Sequence, residues 1–203
     1  MQKISRNACG FTLMELFTVM GVVAIIFGIA YPVFISIMER ARKTQAKNDL
    51  TQIVTAVNAY YTEYGKYPLV AAADTTYGPV ATPNADLLYT LRAVPLGANL
   101  ADATNPRKIV FIQPHDSKVS NPARAGIDSA TGAWYDPWGL PYRVAIDGTY
   151  DNQIANPYTA STGAGTSPLN IGVISWSAGK DGKAPDNGGT QTFSNSDDVI
   201  SWQ

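Results

Sequence analysis

The sequence predicts an α+β protein, a long N-terminal helix packed on a small, loop-rich β head. Three observations carry that expectation. No Asp, Glu, Lys or Arg occurs from Leu16 to Met38. An amphipathic helical pattern follows and stops at Gly65 and Pro68. Beyond Leu69 the apolar residues come in short runs separated by Gly, Pro, Asn and Asp, the pattern of short strands and turns.

The uncharged run is long enough to cross a membrane, which takes about 20 mostly apolar residues. It follows a short polar stretch holding Lys3 and Arg6. Gly28-Ile29-Ala30 offers a small-x-small cut of the signal-peptide type. That cut would leave Tyr31, Val33, Phe34, Ile35, Ile37 and Met38 at the new N-terminus. A plain membrane anchor is the other ordinary reading. Glu15 fits neither well, because a carboxylate at the bilayer centre costs about 2.5–3.5 kcal/mol. It either reaches water at the membrane boundary or has a partner. Gly21, Ala24 and Gly28 form a small-residue stripe of the kind that lets helices approach closely in membranes, or are ordinary small residues of a spanning helix. Pro32 lacks an amide hydrogen and is expected to kink or loosen the helix.

After Met38, Leu50, Ile53, Val54, Val57, Tyr60, Tyr61 and Tyr64 recur at helical spacing. Arg40, Arg42, Lys43, Lys47 and Asp49 mark its exposed N-terminal half, and Gly65 with Pro68 ends the element. From Thr12 to Tyr64 such a helix is about 80 Å long at 1.5 Å per residue.

In the head, a short helix is expected from Asn84 or Asp86 to Leu91. Ile109–Gln113, Tyr142–Ile146, Ile171–Trp176 and Asp198–Trp202 read as strands. Val-Ile-Ser-Trp occurs at 173–176 and again at 199–202, two similar strands. Residues 156–170, rich in Thr, Ser, Gly and Pro, read as a surface loop. Asp136-Pro137-Trp138-Gly139-Leu140-Pro141-Tyr142 reads as a turn and strand whose Trp138 and Tyr142 pack on the long helix.

Composition narrows the functions. The chain has 203 residues and is 15% charged, against about 25% in ordinary domains. With 15 Lys+Arg and 16 Asp+Glu, the net charge is −1. There is no basic field for a nucleic-acid partner. One histidine, His115, and one cysteine, Cys9, exclude a disulfide framework, a Cys/His zinc cluster and a Cys–His nucleophile pair. Asp128, Asp136, Asp147 and Asp151 are the candidate acids of an enzyme, but no Gly-x-Ser-x-Gly motif accompanies them. A phosphate-binding Gly-Lys-Ser/Thr loop is also missing. The C-terminal stretch concentrates Ser177, Asp181, Asp186, Asp197 and Asp198 among glycines. Calcium takes six to eight oxygens from such groups. A solvated Asp-Gly turn loop gives the same pattern, and the spacing is not that of an EF-hand.

Gly10-Phe11-Thr12-Leu13-Met14-Glu15-Leu16 resembles the processing motif of type IV pilins and type II secretion pseudopilins. Tyr60–Pro68, Asp136–Tyr142 and the Ser-x-Gly-x-Asp-Gly and Asp-Asp elements resemble the G-type major pseudopilins of that family. The resemblance implies a leader over residues 1–10, removed by a prepilin peptidase after Gly10, with N-methylation of Phe11. It implies a transmembrane and polymerisation helix over 11–38 and an amphipathic continuation over 39–68. The head then spans 69–203, antiparallel in its sheet and closed by a C-terminal calcium loop. Glu15 is implied as the assembly acid, pairing with the amine of a neighbour's Phe11, and Pro32 as a helix-loosening position. Asp181, Asp197 and Asp198 are implied as calcium ligands, with Ser177 and backbone carbonyls completing the shell. Residues 69–133 are longer than the compact G-type head needs, and the resemblance leaves them unassigned.

The implied function is a structural subunit of a helical envelope filament, most simply the major pseudopilin of a type II secretion system. Its partners are other copies of the chain, the inner membrane, the peptidase and other assembly components. Before assembly it would sit single-pass in the inner membrane with its head outside the cytoplasm. A type IV pilus subunit for adhesion or motility is the near alternative. A membrane-anchored or secreted calcium-binding enzyme domain is the distant one.

Overall fold

A computed structural model describes residues 12–79, 81–119, 122–159, 163–189 and 191–203, with Pro32 and Asn195 described by backbone alone. The chain divides into two compact units, Met1–Ala41 and Arg42–Gln203. The architecture is α+β, as expected.

Helix α1 spans Leu13–Tyr64. In the first unit its apolar side chains are exposed: Phe17, Ile25, Phe27 and Phe34 are each at least 60% accessible. This part is long and apolar enough to cross a membrane. The helix continues through Pro32, so the missing amide does not end it.

In the second unit α1 supplies one side of the core. Leu50, Ile53, Val57 and Tyr60 are buried, as the helical spacing predicts, and Ala46 is buried with them. Tyr61 turns outward and stacks on Tyr67, ring centroids 4.5 Å apart. Gly65 adopts φ +67°, the left-handed conformation that closes a helix, and its amide donates to the Tyr61 carbonyl at 2.8 Å.

The main sheet has four antiparallel strands. These are β1 (Thr75–Tyr77), β4 (Arg143–Ile146), β5 (Val173–Ser177) and β6 (Val199–Ile200), in that spatial order. A two-stranded ribbon pairs β2 (Gly126–Ile127) with β3 (Trp134–Tyr135). Helix α2 (Ala85–Leu91) stands where a short helix was expected, and buries Leu87, Leu88 and Leu91. The Asn84 side chain does not cap it. Its amide instead bridges the Trp134 and Tyr142 carbonyls and accepts the Trp134 amide.

Side chains alternate across strands, and here both faces of the sheet are buried. Tyr77, Val144, Ile146, Val173 and Val199 pack in the same cluster as α1. Ala145, Ile174, Trp176 and Ile200 pack in a second cluster with Ile154, Tyr158, Ala164 and Leu169. Residues 156–170 are therefore not a plain surface loop. Tyr158 and Ala164 are fully buried, and the Asn156 amide donates to the Ala164 and Gly165 carbonyls. The polar composition concealed a flap anchored by one aromatic ring.

Two other expectations are corrected. Residues 109–113 form no strand. The Phe111 amide donates to the Leu91 carbonyl at the end of α2, and among the described residues no strand pairs with this stretch. The second Val-Ile-Ser-Trp copy pairs over Val199–Ile200 alone, because Ser201 and Trp202 turn. The unassigned region 69–133 builds β1, α2 and a buried Asn99–Thr104–Asn105–Thr90 hydrogen-bond network. Tyr60 and Tyr64 of α1 bond into that network through Thr104 and Asn105.

Tyr142 meets α1 as predicted, its hydroxyl donating to buried Asp49 at 2.8 Å. Burial pushes the Asp49 carboxyl above its ordinary value, and the tyrosine hydrogen bond opposes that. Tyr142→Phe removes the donor and leaves a buried acceptor unpartnered. The head should lose about 1–3 kcal/mol in denaturant unfolding; a change under a few tenths would show that Asp49 is satisfied elsewhere.

Candidate functional site

The C-terminal acidic loop starts where β5 ends and finishes where β6 begins. The pairing Ser177↔Val199 sets its width. Within it, one carboxylate oxygen each from Asp181, Asp197 and Asp198 lies within 4.8 Å of the others. Gly179 makes this closure possible. Its φ is +60°, and a Cβ there would stand 2.6 Å from the Asp197 carbonyl oxygen. Only glycine tolerates both demands. The Asp197 Oδ2 then accepts the amides of Lys180 at 2.6 Å and Asp181 at 3.1 Å, tying the two arms together.

Asp198 is the buried member, 6% exposed. Its Oδ2 accepts the Tyr158 hydroxyl at 2.7 Å, while its Oδ1 is buried with no hydrogen-bond partner among the described residues. Burial pushes its carboxyl up to about 6; Asp197 and Asp181 add to that and the Tyr158 bond opposes it. Burial, with Asp198 beside it, also raises the Tyr158 hydroxyl, which stays a donor. Three converging carboxylates, one with an orphaned buried oxygen, are a donor set that suits a hard cation such as calcium.

Ser177 stands at the start of the loop. Its hydroxyl donates to Asp136 Oδ2 at 2.6 Å and accepts the Gly179 amide at 3.2 Å. It shapes the start of the loop, and its hydroxyl is committed to Asp136. Asp186 stands apart from the trio, since its Oδ2 accepts Arg143 Nε at 2.7 Å. Nothing in the local sequence pointed to that pair, which crosses from β4 to the loop.

At the other end of the chain, Thr12 and Glu15 bond reciprocally. Glu15 Oε2 accepts the Thr12 amide and hydroxyl, both at 2.9 Å, and the Glu15 amide donates to Thr12 Oγ1 at 3.2 Å. This is a capping box, which satisfies donors at the first turn of α1. The Thr-x-x-Glu spacing signals it in the sequence, alongside the prepilin-like motif. Gly10 and Phe11, the expected processing residues, lie outside the described residues. Pro32 lies within α1.

The candidate enzyme acids serve turns. Asp136 Oδ1 accepts the amides of Trp138, Gly139 and Leu140. Asp128 accepts from Ala130 and Thr131, Asp147 from Thr149, Tyr150 and Asn152, and Asp151 from Gln153. These bonds explain the four carboxylates as loop architecture.

No family model matches the chain, and no solved structure matches it. Among curated proteins, the chain is 36% identical over 58 residues to the "Type IV major pilin protein PilA" of Myxococcus xanthus (strain DK1622). The match takes in 29% of this chain and spans about a quarter, 26%, of that pilin. Together with the exposed apolar part of α1, that similarity supports a type IV pilin-like family for the chain and points to a structural subunit more than an enzyme.

Proposed function

We propose that the chain is the subunit of a helical envelope filament, the major pseudopilin of a type II secretion system. The observation that carries this reading is the fully exposed apolar stretch of α1 on a chain whose other unit has its own closed core. Such a surface needs lipid before assembly and other apolar helices after it. Residues 1–10 act as the leader, and a prepilin peptidase releases Phe11 as a methylated N-terminus. The apolar part of α1 holds the subunit single-pass in the inner membrane, with the head outside the cytoplasm.

The choice of a secretion pseudopilus over a surface pilus rests on the acidic loop. Asp181, Asp197 and Asp198 hold calcium, which closes the last loop in a head without cysteine. The bound ion adds positive charge among three carboxylates. Asp198 presents its free oxygen, and Asp197 keeps the two loop arms together.

The intact mass of the membrane-extracted protein tests the processing step. A chain starting at Phe11 with one added methyl group supports the filament reading. A start at Met1 or Tyr31 overturns it. Loss of exported proteins on gene deletion, with surface pili and motility retained, supports the secretion assignment. The reverse pattern makes the chain a type IV pilus subunit.

A further inference from the structure

Lys47 of α1 reaches the end of the head. Its ammonium donates to the carbonyls of Ile200 at 2.7 Å and Ser201 at 3.3 Å, and to that of Gln203. An ammonium has three protons, and here three carbonyls from one short turn receive them. These residues directly follow Asp197 and Asp198.

The segment is also fastened by burial of Val199 and Ile200 in the two core clusters, by the Ser175 amide donating to the Ser201 hydroxyl, and by contacts of the Trp202 ring with Tyr158 and Trp176. Strand β6 is two residues long and pairs on one side only, with β5. The Ser201 amide donates to Ser175, and the Trp202 indole donates to Ala164. Lys43, Thr44 and Lys47 of α1 share one cleft with Asp198, Val199, Ile200 and Gln203. The helix and Asp198 of the acidic loop thus border the same space. The orientation of Asp198 depends on where Val199 and Ile200 are held by β5, and Lys47 is the charged group bonded to the Ile200 carbonyl.

We propose that Lys47 is the positioning residue of the acidic loop, so that cation binding and the docking of residues 199–203 on α1 are one coupled equilibrium. This rests on the reading of Asp181, Asp197 and Asp198 as a calcium site. Coupling of this kind is reciprocal. If the docked segment favours the ion, the ion favours docking by the same factor. Calcium then does more than close a distal loop, because it tightens the seam between the end of the head and the helix.

The experiment uses the full chain in detergent micelles, with calcium chloride as the probe. Calorimetric titration is paired with amide hydrogen exchange. In the unmodified protein, calcium should bind one per chain and slow exchange over residues 199–203. Lys47→Met should weaken calcium binding about tenfold or more, the range seen when the support of a ligand is removed. It should also abolish the calcium-dependent slowing at 199–203. Exchange in β4 and β5 should be unchanged, which separates positioning from general destabilisation. Lys47→Gln keeps two N–H donors without the charge and should fall between the two; it replaces the methionine variant if that one does not fold. Equal calcium affinity in the unmodified and variant proteins overturns the coupling and leaves the calcium site standing. Absence of calcium binding in the unmodified protein overturns both.

Discussion

Glu15→Gln should abolish filaments while leaving the start of α1 intact. Glutamine serves the third helical position of a capping box as glutamate does. It can still accept from Thr12, whose amide and hydroxyl are the bonds observed. What it loses is the charge. In the proposed filament, the amine of Phe11 from one subunit faces Glu15 of the next in apolar surroundings. Removing one member of a buried pair costs about 3–5 kcal/mol, because the other charge is left uncompensated. That loss recurs at every subunit contact, so polymer yield should collapse. Thr12→Ala makes the complementary change, since it breaks the box and keeps the charge. It should cost about 0.5–2 kcal/mol of helix-end stability and still allow filaments. Electron microscopy and the pelleted fraction read both results. Abundant filaments from Glu15→Gln, with none from Thr12→Ala, would reassign Glu15 from subunit pairing to capping.

The second large effect is expected at the acidic loop. Calcium at about 100 times its Kd should stabilise the head by about 2.7 kcal/mol. For a domain of this size that raises Tm by roughly 5–10 °C. Asp198→Asn keeps an oxygen for Tyr158 but removes the charge at the buried position, so its Tm should no longer respond to calcium. A full calcium response in that variant would exclude Asp198 as a ligand.

The pH dependence has a definite sign. With its pKa raised to about 6 in the folded protein, against about 3.9 unfolded, Asp198 binds its proton more tightly in the folded state. In chelator, its contribution to stability is full below about pH 4 and is lost as pH rises through about 6. Calcium needs the deprotonated form, so the calcium-induced rise in Tm should shrink as pH falls through about 6. Thermal scans at pH 4, 5, 6 and 7, with calcium and with chelator, should therefore converge toward the acid end. Curves separated by a constant interval would show that the ion does not displace this proton.

Much of the fold was legible because the signals were local and repeated. The absence of charge from Leu16 to Met38 and the spacing from Leu50 to Tyr64 each recur over many residues. Gly65 ends α1 because a left-handed residue is needed there. The acidic trio was legible as residues. The bond from Ser177 to Asp136, 41 residues earlier, was not legible. The flap over the second sheet face was also hidden. Its buried residues, Tyr158, Ala164 and Leu169, stand among many small polar residues and follow no period.

Sequence alone determined the long apolar stretch, the amphipathic continuation, its stop and the acidic side chains of the last loop. Each follows from periodicity, from the conformational demands of glycine and proline, or from the side-chain inventory within a short window. Only the tertiary structure decided which carboxylates converge and which cap turns. It also decided that Asp198 is buried with an unpartnered oxygen and that Lys47 grips the chain more than 150 positions away. Those outcomes depend on strand register and on how the closing segment is held against α1. Both are set by long-range packing and desolvation, which no local pattern encodes.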